Sequence, residues 1–410
     1  MTTESQKNNL CENFIRGSGD FNIYNYWILS SHNTYLIDTQ FSIPQKCMYE
    51  LLRNLYKGGS VEIDINYSAN EQSIISHNLL PSTLKLVDVL KLYSNMDLQS
   101  PPLILSIDNT NHTDMMNENL ASIINRNLLN KQNYCVEPGT NLNSIPLKNL
   151  CNTIFIKYKT DNEFKLGKNV CPENMVMLGW SKNNEHLTHK IFGVSIQGTN
   201  NYDNKNLNEI SMNHKTKMFR IYPPSYNIYS GNCNIYQYFE AGAQMVAINQ
   251  HRFDNNWYIN RALFTDNTLN PRRYYTFRVK PDNLQVFKHI HISQIIVNNK
   301  LSFNAKISLR YGRFINNKMP YFKNMYISNI NTSLPFFVLK IYYNGIVYKD
   351  GIELSNDNNT NNNNNTNNNM NKTFYLDQYI IPNGKCQNLY ERYVNNLPKL
   401  QVTIIYNYLE

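Results

Sequence analysis

The sequence has 410 residues, of which 41% are hydrophobic, including 18 Phe and 30 Tyr, and this is enough apolar material for two or three packed domains. No apolar stretch approaches the roughly 20 residues that span a bilayer, and residues 1–9 lack the apolar centre of a signal peptide, so we expect a protein of the cytoplasm. The formal net charge of +9 favours an anionic partner, either nucleic acid or the acidic cytoplasmic face of a membrane.

The cysteines are odd in number, scattered along the chain and without any CxxC pair. This pattern predicts reduced cytosolic thiols, and it favours neither disulfides nor a zinc site. The seven positions are Cys11, Cys47, Cys135, Cys151, Cys171, Cys233 and Cys386.

Short apolar segments that end in polar side chains recur along the first two thirds of the chain. They occupy residues 27–33, 61–65, 74–77, 103–108, 154–159, 191–196, 218–222 and 244–249. Amphipathic stretches typical of helices separate them, for example 87–93 and 117–129. Alternating strands and helices, with functional side chains at successive strand ends, predict an α/β fold of the TIM-type (β/α) barrel. We place this barrel at 21–282, after a loose polar tail over 1–20.

The pattern changes after Pro281 to alternating β-branched segments at 290–297, 303–311, 336–343 and 399–406. Such segments predict an all-β antiparallel sandwich over 283–410. Residues 355–372 are almost entirely Asn. Because so polar a tract cannot offset its ordering entropy by burial, we expect a disordered loop between two strands.

Two carboxylates lie within the second strand segment, 61–65. Glu62 and Asp64 are two residues apart, so both side chains point to the same side of a strand. Asn33 and Asp108 end neighbouring strands and would complete an all-oxygen shell suited to Ca²⁺. Any one of these carboxylates taken alone is more often the partner of a Lys or Arg, and the metal hypothesis depends on their convergence.

Two histidines, His32 and His77, stand at strand ends beside these carboxylates. Because imidazole titrates near neutral pH, they are the candidate acid and base. A lone histidine at a strand end is more often structural, but two that converge on an acidic cluster favour catalysis.

Basic side chains follow the strands on the opposite side of the predicted site. Lys157 and Lys159 share one face by the two-residue period, as do Arg220 and Tyr222. They would form a basic wall able to give charge-assisted hydrogen bonds to phosphates. The alternative for the lysines is a solvated face.

Several blocks resemble the eukaryotic phosphoinositide-specific phospholipases C. They are YWILSSHNTYL at 26–36, VEIDI at 61–65, SIISHN at 73–78, LILSIDN at 103–109, FRIYP at 219–223, FEAGAQMVAIN at 239–249 and YTFRVKP at 275–281. The blocks follow the order of the family's X region, about 21–160, and Y region, about 189–282, with a linker at about 161–188. The sandwich stands where the family carries a C2 domain, so the resemblance implies a C2-like fold there.

The resemblance implies Ca²⁺-dependent hydrolysis of phosphatidylinositol 4,5-bisphosphate to diacylglycerol and inositol trisphosphate in signalling. His32 would stabilise the pentacovalent phosphorane, His77 would protonate the leaving oxygen, and Glu62 or Asp108 would act as the base. The implied metal ligands are Asn33, Glu62, Asp64 and Asp108. The implied substrate-binding residues are Lys157, Lys159, Ser195, Arg220 and Tyr222.

The sequence departs from the family pattern at Asp108, and this departure suggests an alternative function. The family usually has Glu at the position of Asp108, and a shorter carboxylate could weaken the metal site and leave a catalytically silent phosphoinositide-binding protein. A glycerophosphodiester phosphodiesterase is disfavoured by the SHNTYL block and the basic wall. We expect a monomer that meets the membrane surface peripherally, and no nucleic-acid partner, because the basic residues form no stripe with interleaved aromatics. The sandwich has few loop acids, so we expect it to bind no Ca²⁺ itself.

Overall fold

The structure of the protein is a computed structural model. It describes residues 11–67, 73–76, 82–94, 100–109, 120, 122–129, 141–159, 191–195, 200–223, 229–232, 234–282, 284, 288–297, 306–310, 321–323, 328–332, 335–343, 346–354, 370–379, 386–393 and 397–409.

Strands and helices alternate through the first part of the chain, as the sequence predicted. In chain order they are β1 (Ile15–Arg16), β2 (Tyr26–Ile28), α1 (Cys47–Tyr56), β3 (Gly59–Tyr67), β4 (Ser73–Ile75), α2 (Leu86–Ser94), β5 (Leu103–Asn109), β6 (Ile154–Lys159), β7 (Ile191–Ser195), α3 (Asn200–Asn213), β8 (Met218–Tyr222), α4 (Tyr236–Ala241), β9 (Met245–Val246), α5 (Asn255–Phe264), β10 (Thr265–Asp266), β11 (Arg273–Tyr274) and β12 (Phe277–Val279). Short 3₁₀ turns occupy Ile23–Asn25, Leu142–Ser144 and Leu147–Leu150, and a π turn occupies Asn125–Leu129.

Seven parallel strands form two arcs of a barrel. One arc runs β7-β8-β9-β2 and the other β3-β5-β6, with a parallel bridge between Ser30 and Ser60 that joins them. The strands therefore follow chain order around the barrel. A closed TIM-type ring is not observed among the described residues, because no pairing joins β6 to β7, and β12 lies antiparallel beside β2.

The expected loose tail is wrong over residues 11–20. β1 pairs in parallel with β12, and Cys11 is fully buried. Cys11 is also bonded to Cys151, and a second disulfide joins Cys47 to Cys386. The prediction of reduced thiols is thus wrong for these four cysteines, because pairing depends on contacts across 140 and 339 residues that spacing does not reveal. Residues 1–10 and the predicted linker at 161–188 lie outside the described residues.

The second part of the chain is a sandwich of two four-stranded antiparallel sheets. Its elements are β13 (Lys288–Val297), β14 (Lys306–Arg310), β15 (Tyr321–Lys323), β16 (Ser328–Thr332), β17 (Phe336–Tyr343), β18 (Ile346–Glu353), β19 (Met370–Asp377), α6 (Cys386–Tyr393) and β20 (Lys399–Leu409). The sheet orders are β16-β13-β20-β19 and β15-β14-β17-β18. Phe337 and Leu339 of one sheet share a buried core with Leu400 and Val402 of the other. Of the predicted Asn-rich loop, residues 370–372 belong to β19 and 355–369 lie outside the described residues.

The sandwich packs against the barrel through α5. An added Cβ on Gly351 of β18 would collide with the carbonyl oxygen of Tyr258, so only glycine allows this close approach. Beside it, Arg261 and Arg272 of the barrel part form a buried ion cluster with Asp350 and Asp377 of the sandwich. Among the described residues, no helix is long and apolar enough to span a membrane.

Candidate active site

The register of three parallel strands brings the predicted polar side chains to one end of the barrel. Asp64 of β3 lies opposite Asp108 of β5, and Asp108 lies opposite Lys159 of β6. One layer deeper, Glu62 lies opposite Ser106, and Ser106 lies opposite Lys157. The carboxyl ends of these strands therefore carry the chemistry, as a parallel barrel requires.

Glu62 is a buried carboxylate held at both oxygens. The Arg220 Nη2 donates to Oε1 at 2.9 Å, and the backbone N–H of Asn33 donates to Oε2 at 2.7 Å. Burial raises the pKa of Glu62, but the charge of Arg220, together with the hydrogen bond from the Asn33 backbone, outweighs it and lowers the pKa to about 2. The Glu62 side chain is therefore ionised and fixed in place.

The pKa of Asp64 is shifted in the opposite direction from that of Glu62. Tyr35 donates its hydroxyl to Oδ2 at 2.5 Å, whereas the buried Oδ1 has no hydrogen-bond partner among the described residues. Burial, and then the charges of Glu62 and Asp108, raise the pKa of Asp64 well above its usual range. Each of these neighbouring carboxylates therefore makes ionisation of Asp64 less favourable.

Asn33 is placed by an unusual backbone conformation. Its φ of 43° lies in the left-handed region, which Asn tolerates better than most residues. Its Nδ2 donates to Gln40 Oε1 at 2.6 Å, and its Oδ1 lies 3.2 Å from the hydroxyl oxygen of Tyr35. The amide oxygen of Asn33 is consequently on the side of Asp64.

His32 is half-buried between the two arcs. Its Nδ1 lies 3.0 Å from Asn249 Oδ1, its Nε2 lies 3.8 Å from Glu62 Oε2, and its ring is parallel to that of Tyr222 at 6.2 Å. Burial lowers the pKa of His32, against the opposing effect of Glu62. The imidazole is therefore neutral at ordinary pH.

Two basic residues of the predicted wall, Lys157 and Arg220, lie beside the acidic cluster and not opposite it. Lys157 is buried, with Nζ donating to Ser106 Oγ at 3.3 Å, and its charge acts on Glu62. Arg220 is buried against Glu62, with its guanidinium 5.4 Å from the ring centre of Tyr222. Both cations thus adjoin the acidic cluster rather than standing apart from it.

Comparison with known proteins decides the family. The X domain of phosphatidylinositol-specific phospholipase C matches residues 20–160, and the Y domain of the same family matches residues 169–282. Together the two matches cover more than half of the chain. The chain belongs to the phosphoinositide-specific phospholipase C family.

The individual relatives that this chain resembles are distant and longer. It is 26% identical over 305 residues to 1-phosphatidylinositol 4,5-bisphosphate phosphodiesterase 1 of Saccharomyces cerevisiae, covering 58% of this chain and 34% of that protein. Crystal structures of PLC21 from S. officinalis and L. pealei superpose with TM-scores of 0.64 and 0.65 at 18% identity, over 96% of this chain and 56% and 57% of theirs. At this identity the likeness shows a shared fold. The chain spans about a third of the yeast relative.

Three residues predicted for this site have side chains outside the described part of the chain. His77 lies outside the described residues. The backbones of Lys159 and Ser195 end strands β6 and β7, but their side chains are outside the described part of the chain. Ser195 is in register with Tyr222, which puts it at the same end of the barrel.

The structure adds polar residues that the sequence analysis did not assign. Tyr35, Gln40 and Asn249 contact the predicted ligands or His32 directly. Tyr35 and Asn249 lie within the SSHNTYL and AGAQMVAIN blocks, so the blocks themselves were a usable signal. Ser230, which contacts Gln40 and Asn249, lies outside these blocks.

The residues fit Ca²⁺ in their chemistry. The donor set is carboxylate and amide oxygen, which hard cations prefer, and the buried Oδ1 of Asp64 has no other partner among the described residues. In the described part of the chain, no three His, Cys, Asp or Glu side chains are already gathered as a metal cluster. Asn33, Glu62, Asp64 and Asp108 would hold the ion.

Proposed function

We propose that this chain is a Ca²⁺-dependent phosphodiesterase that hydrolyses phosphatidylinositol 4,5-bisphosphate to diacylglycerol and inositol trisphosphate. The observation that supports it is the convergence of His32 with Glu62, Asp64 and Asp108 at the carboxyl end of the barrel strands. The bisphosphorylated substrate is supported by the name of the yeast relative.

The reaction begins with attack of the inositol 2-hydroxyl on phosphorus and breaks the bond from phosphorus to the glycerol oxygen. When bound, Ca²⁺ lowers the pKa of the attacking hydroxyl and neutralises charge on the phosphate. His77 protonates the leaving oxygen in this scheme. Water then opens the cyclic phosphate.

His32 contributes a hydrogen bond to the phosphate from Nε2. Asn249 Nδ2 donates to the Ser230 carbonyl at 3.0 Å, so Asn249 presents its oxygen to His32 Nδ1, which must carry a proton. Nε2 can therefore donate only when the ring holds a second proton. An anionic phosphate beside the ring favours that charged form.

The proton of the attacking hydroxyl passes to a carboxylate of the cluster. The ion pair with Arg220 keeps Glu62 ionised, as a proton acceptor must be, but a pKa of about 2 makes it a weak base. Asp108 is the second candidate. Glu62→Gln and Asp108→Asn assayed in parallel would separate the two, because loss of the base lowers kcat at saturating Ca²⁺.

The decisive assay is hydrolysis of phosphatidylinositol 4,5-bisphosphate in mixed micelles, with Ca²⁺ titrated against chelator. The proteins to compare are the native chain, Asp108→Glu and Asp108→Asn. Asp88→Asn is the matched control, because Asp88 is an exposed carboxylate on α2. Ca²⁺-dependent release of inositol trisphosphate by the native chain and the control, with loss in Asp108→Asn, is the expected result.

Silence of the native chain at saturating Ca²⁺ would contradict the proposal. If activity then appeared in Asp108→Glu, the chain would be a phosphoinositide-binding protein whose metal site has lost one ligand.

We further propose that the protein acts as a monomer on the cytoplasmic membrane surface, for which its net charge of +9 is suited.

A further inference from the structure

A continuous chain of polar contacts links the two side chains on which the proposed reaction depends. Asn33 Nδ2 donates to Gln40 Oε1 at 2.6 Å, and Gln40 Nε2 donates to Ser230 Oγ at 2.8 Å. From the other side, Asn249 Nδ2 donates to the Ser230 carbonyl at 3.0 Å, and Asn249 Oδ1 lies 3.0 Å from His32 Nδ1. The three connecting residues are almost fully buried.

Each amide in this chain fixes which end of its neighbour faces the site. An Asn side chain has an oxygen that can bind a cation and a nitrogen that cannot. Because Gln40 accepts from Asn33 Nδ2, the Oδ1 of Asn33 is left on the side of the carboxylates. In the same way Asn249 accepts from Nδ1 of His32, which leaves Nε2 facing Glu62.

Ser230 is the point at which the two branches meet. Its φ of 55° is rare for a residue other than glycine, and its side chain is fully buried. The surrounding loop is anchored, because Asn232 Oδ1 accepts from the Asn249 backbone and the Asn232 backbone donates to Asp254, the N-cap of α5. A strained residue held so firmly is typical of a functional site.

We propose that Gln40, Ser230 and Asn249 are positioning residues, which turn the Asn33 oxygen towards the cation and the His32 Nε2 towards the phosphate. This inference rests on the proposed function. Asn33 and Gln40 belong to the half of the barrel that precedes residue 160, whereas Ser230 and Asn249 belong to the half that follows it. The second half thus orients side chains of the first.

The two branches can be separated by substitutions of similar volume. Gln40→Met removes both hydrogen bonds of the cation branch, and Asn249→Leu removes those of the histidine branch. Gln244→Met is the matched control, because Gln244 is also buried and hydrogen-bonded, but its side-chain partners are the backbones of Tyr24, His214, Lys217 and Phe219. The measurements are Ca²⁺ affinity by titration calorimetry, kcat and KM at saturating Ca²⁺, and the thermal midpoint.

Loss of one such supporting contact typically costs a metal site 10–100-fold in affinity or activity. We expect Gln40→Met to weaken Ca²⁺ binding about 10-fold and to leave kcat at saturating Ca²⁺ nearly unchanged. Asn249→Leu should lower kcat about 10- to 100-fold with Ca²⁺ affinity and KM nearly unchanged. Ser230→Ala, which removes only the hydroxyl, should also weaken Ca²⁺ binding, but by less than Gln40→Met does. Gln244→Met should lower the thermal midpoint alone.

The inference is overturned, with the proposed function intact, if the native chain is active and the Gln40 and Asn249 variants change only the thermal midpoint, as the control does. It is also overturned if both variants lose Ca²⁺ affinity and kcat together. A native chain that binds Ca²⁺ without hydrolysis refutes the proposed function, and calorimetry on Gln40→Met still tests the cation branch. A native chain that neither binds Ca²⁺ nor hydrolyses the lipid refutes both the proposed function and this inference.

Discussion

Replacement of Arg272 by Met should destabilise the protein at the contact between the barrel and the sandwich. Arg272 is buried, with Nη2 2.6 Å from Asp350 Oδ2 and Nη1 2.7 Å from Asp377 Oδ2. Arg261 is the second cation of the cluster, at 3.5 Å and 3.0 Å from the same two carboxylates. Two arginines and two aspartates balance in charge, so Arg272→Met leaves one buried negative charge in excess.

The magnitude follows from those distances. Each contact near 2.7 Å is worth about 6 kcal/mol at an effective dielectric constant of about 20, and most of the sum is cancelled by the desolvation of the guanidinium. Breaking a buried pair by removal of one partner costs about 3–5 kcal/mol, because the other charge stays buried. Arg272→Met should therefore lose about 4 kcal/mol of unfolding free energy.

A second substitution tests the cause of that loss. In Arg272→Met combined with Asp377→Asn the surplus charge is gone, so at least half of the lost free energy should return. The control is Arg273→Met, since Arg273 is the exposed neighbour that donates to the Asn13 carbonyl and should cost less than about 1 kcal/mol. Urea unfolding followed by tryptophan fluorescence measures all four proteins. The electrostatic argument fails if Arg272→Met costs no more than the control, or if the double variant is no more stable than the single one.

Two further predictions concern the same interface. Burial raises the pKa of Glu353, but Arg278 and Arg16 outweigh it and lower the pKa from 4.5 to about 2, so its stabilisation is complete above pH 4.5 and is lost as the pH falls towards 2. The difference in unfolding free energy between the native chain and Glu353→Gln should shrink from about 3 kcal/mol at pH 7 towards zero near pH 2, and a constant difference would exclude this linkage. The disulfide between Cys47 and Cys386 should stabilise by about 2–4 kcal/mol, so Cys386→Ser should have a lower urea midpoint than the native chain. Reduction of the native chain, which also breaks the bond between Cys11 and Cys151, should lower the midpoint at least as far, whereas a reductant-insensitive midpoint would contradict the bond.

The fold was predictable where local pattern and tertiary contacts agree. The segment 336–343 was predicted as a strand and is β17, because its alternate residues Phe337 and Leu339 enter the sandwich core. Strand β18 was missed, since Asp350 followed by Gly351 is a sequence typical of turns. Here Asp350 is paired with Arg272 of the barrel part, and Gly351 is required by the closeness of α5. Both reasons come from residues far away in the sequence.

The candidate site also contains features that the sequence predicts and features that depend on contacts between distant residues. Strand periodicity was sufficient to place Glu62 and Asp64 together, because both belong to one strand. It could not show that Arg220 lies on Glu62, since that contact joins residues 158 apart across two arcs of the barrel. Nor could it identify Ser230, whose role depends on a left-handed backbone and on two buried amides.

The sandwich supports the catalytic end of the barrel as well as covering its side. The Tyr393 hydroxyl at the end of α6 lies 2.8 Å from both the side-chain and the backbone oxygen of Gln250, which share its one proton, and it accepts from Trp257 Nε1 at 2.8 Å. Gln250 directly follows Asn249, the residue that orients His32. Loss of Tyr393 would leave buried acceptors on Gln250 without a donor, which is costly in so apolar a setting. A barrel without its sandwich would therefore lose a hydrogen-bond donor beside the strand end that carries Asn249.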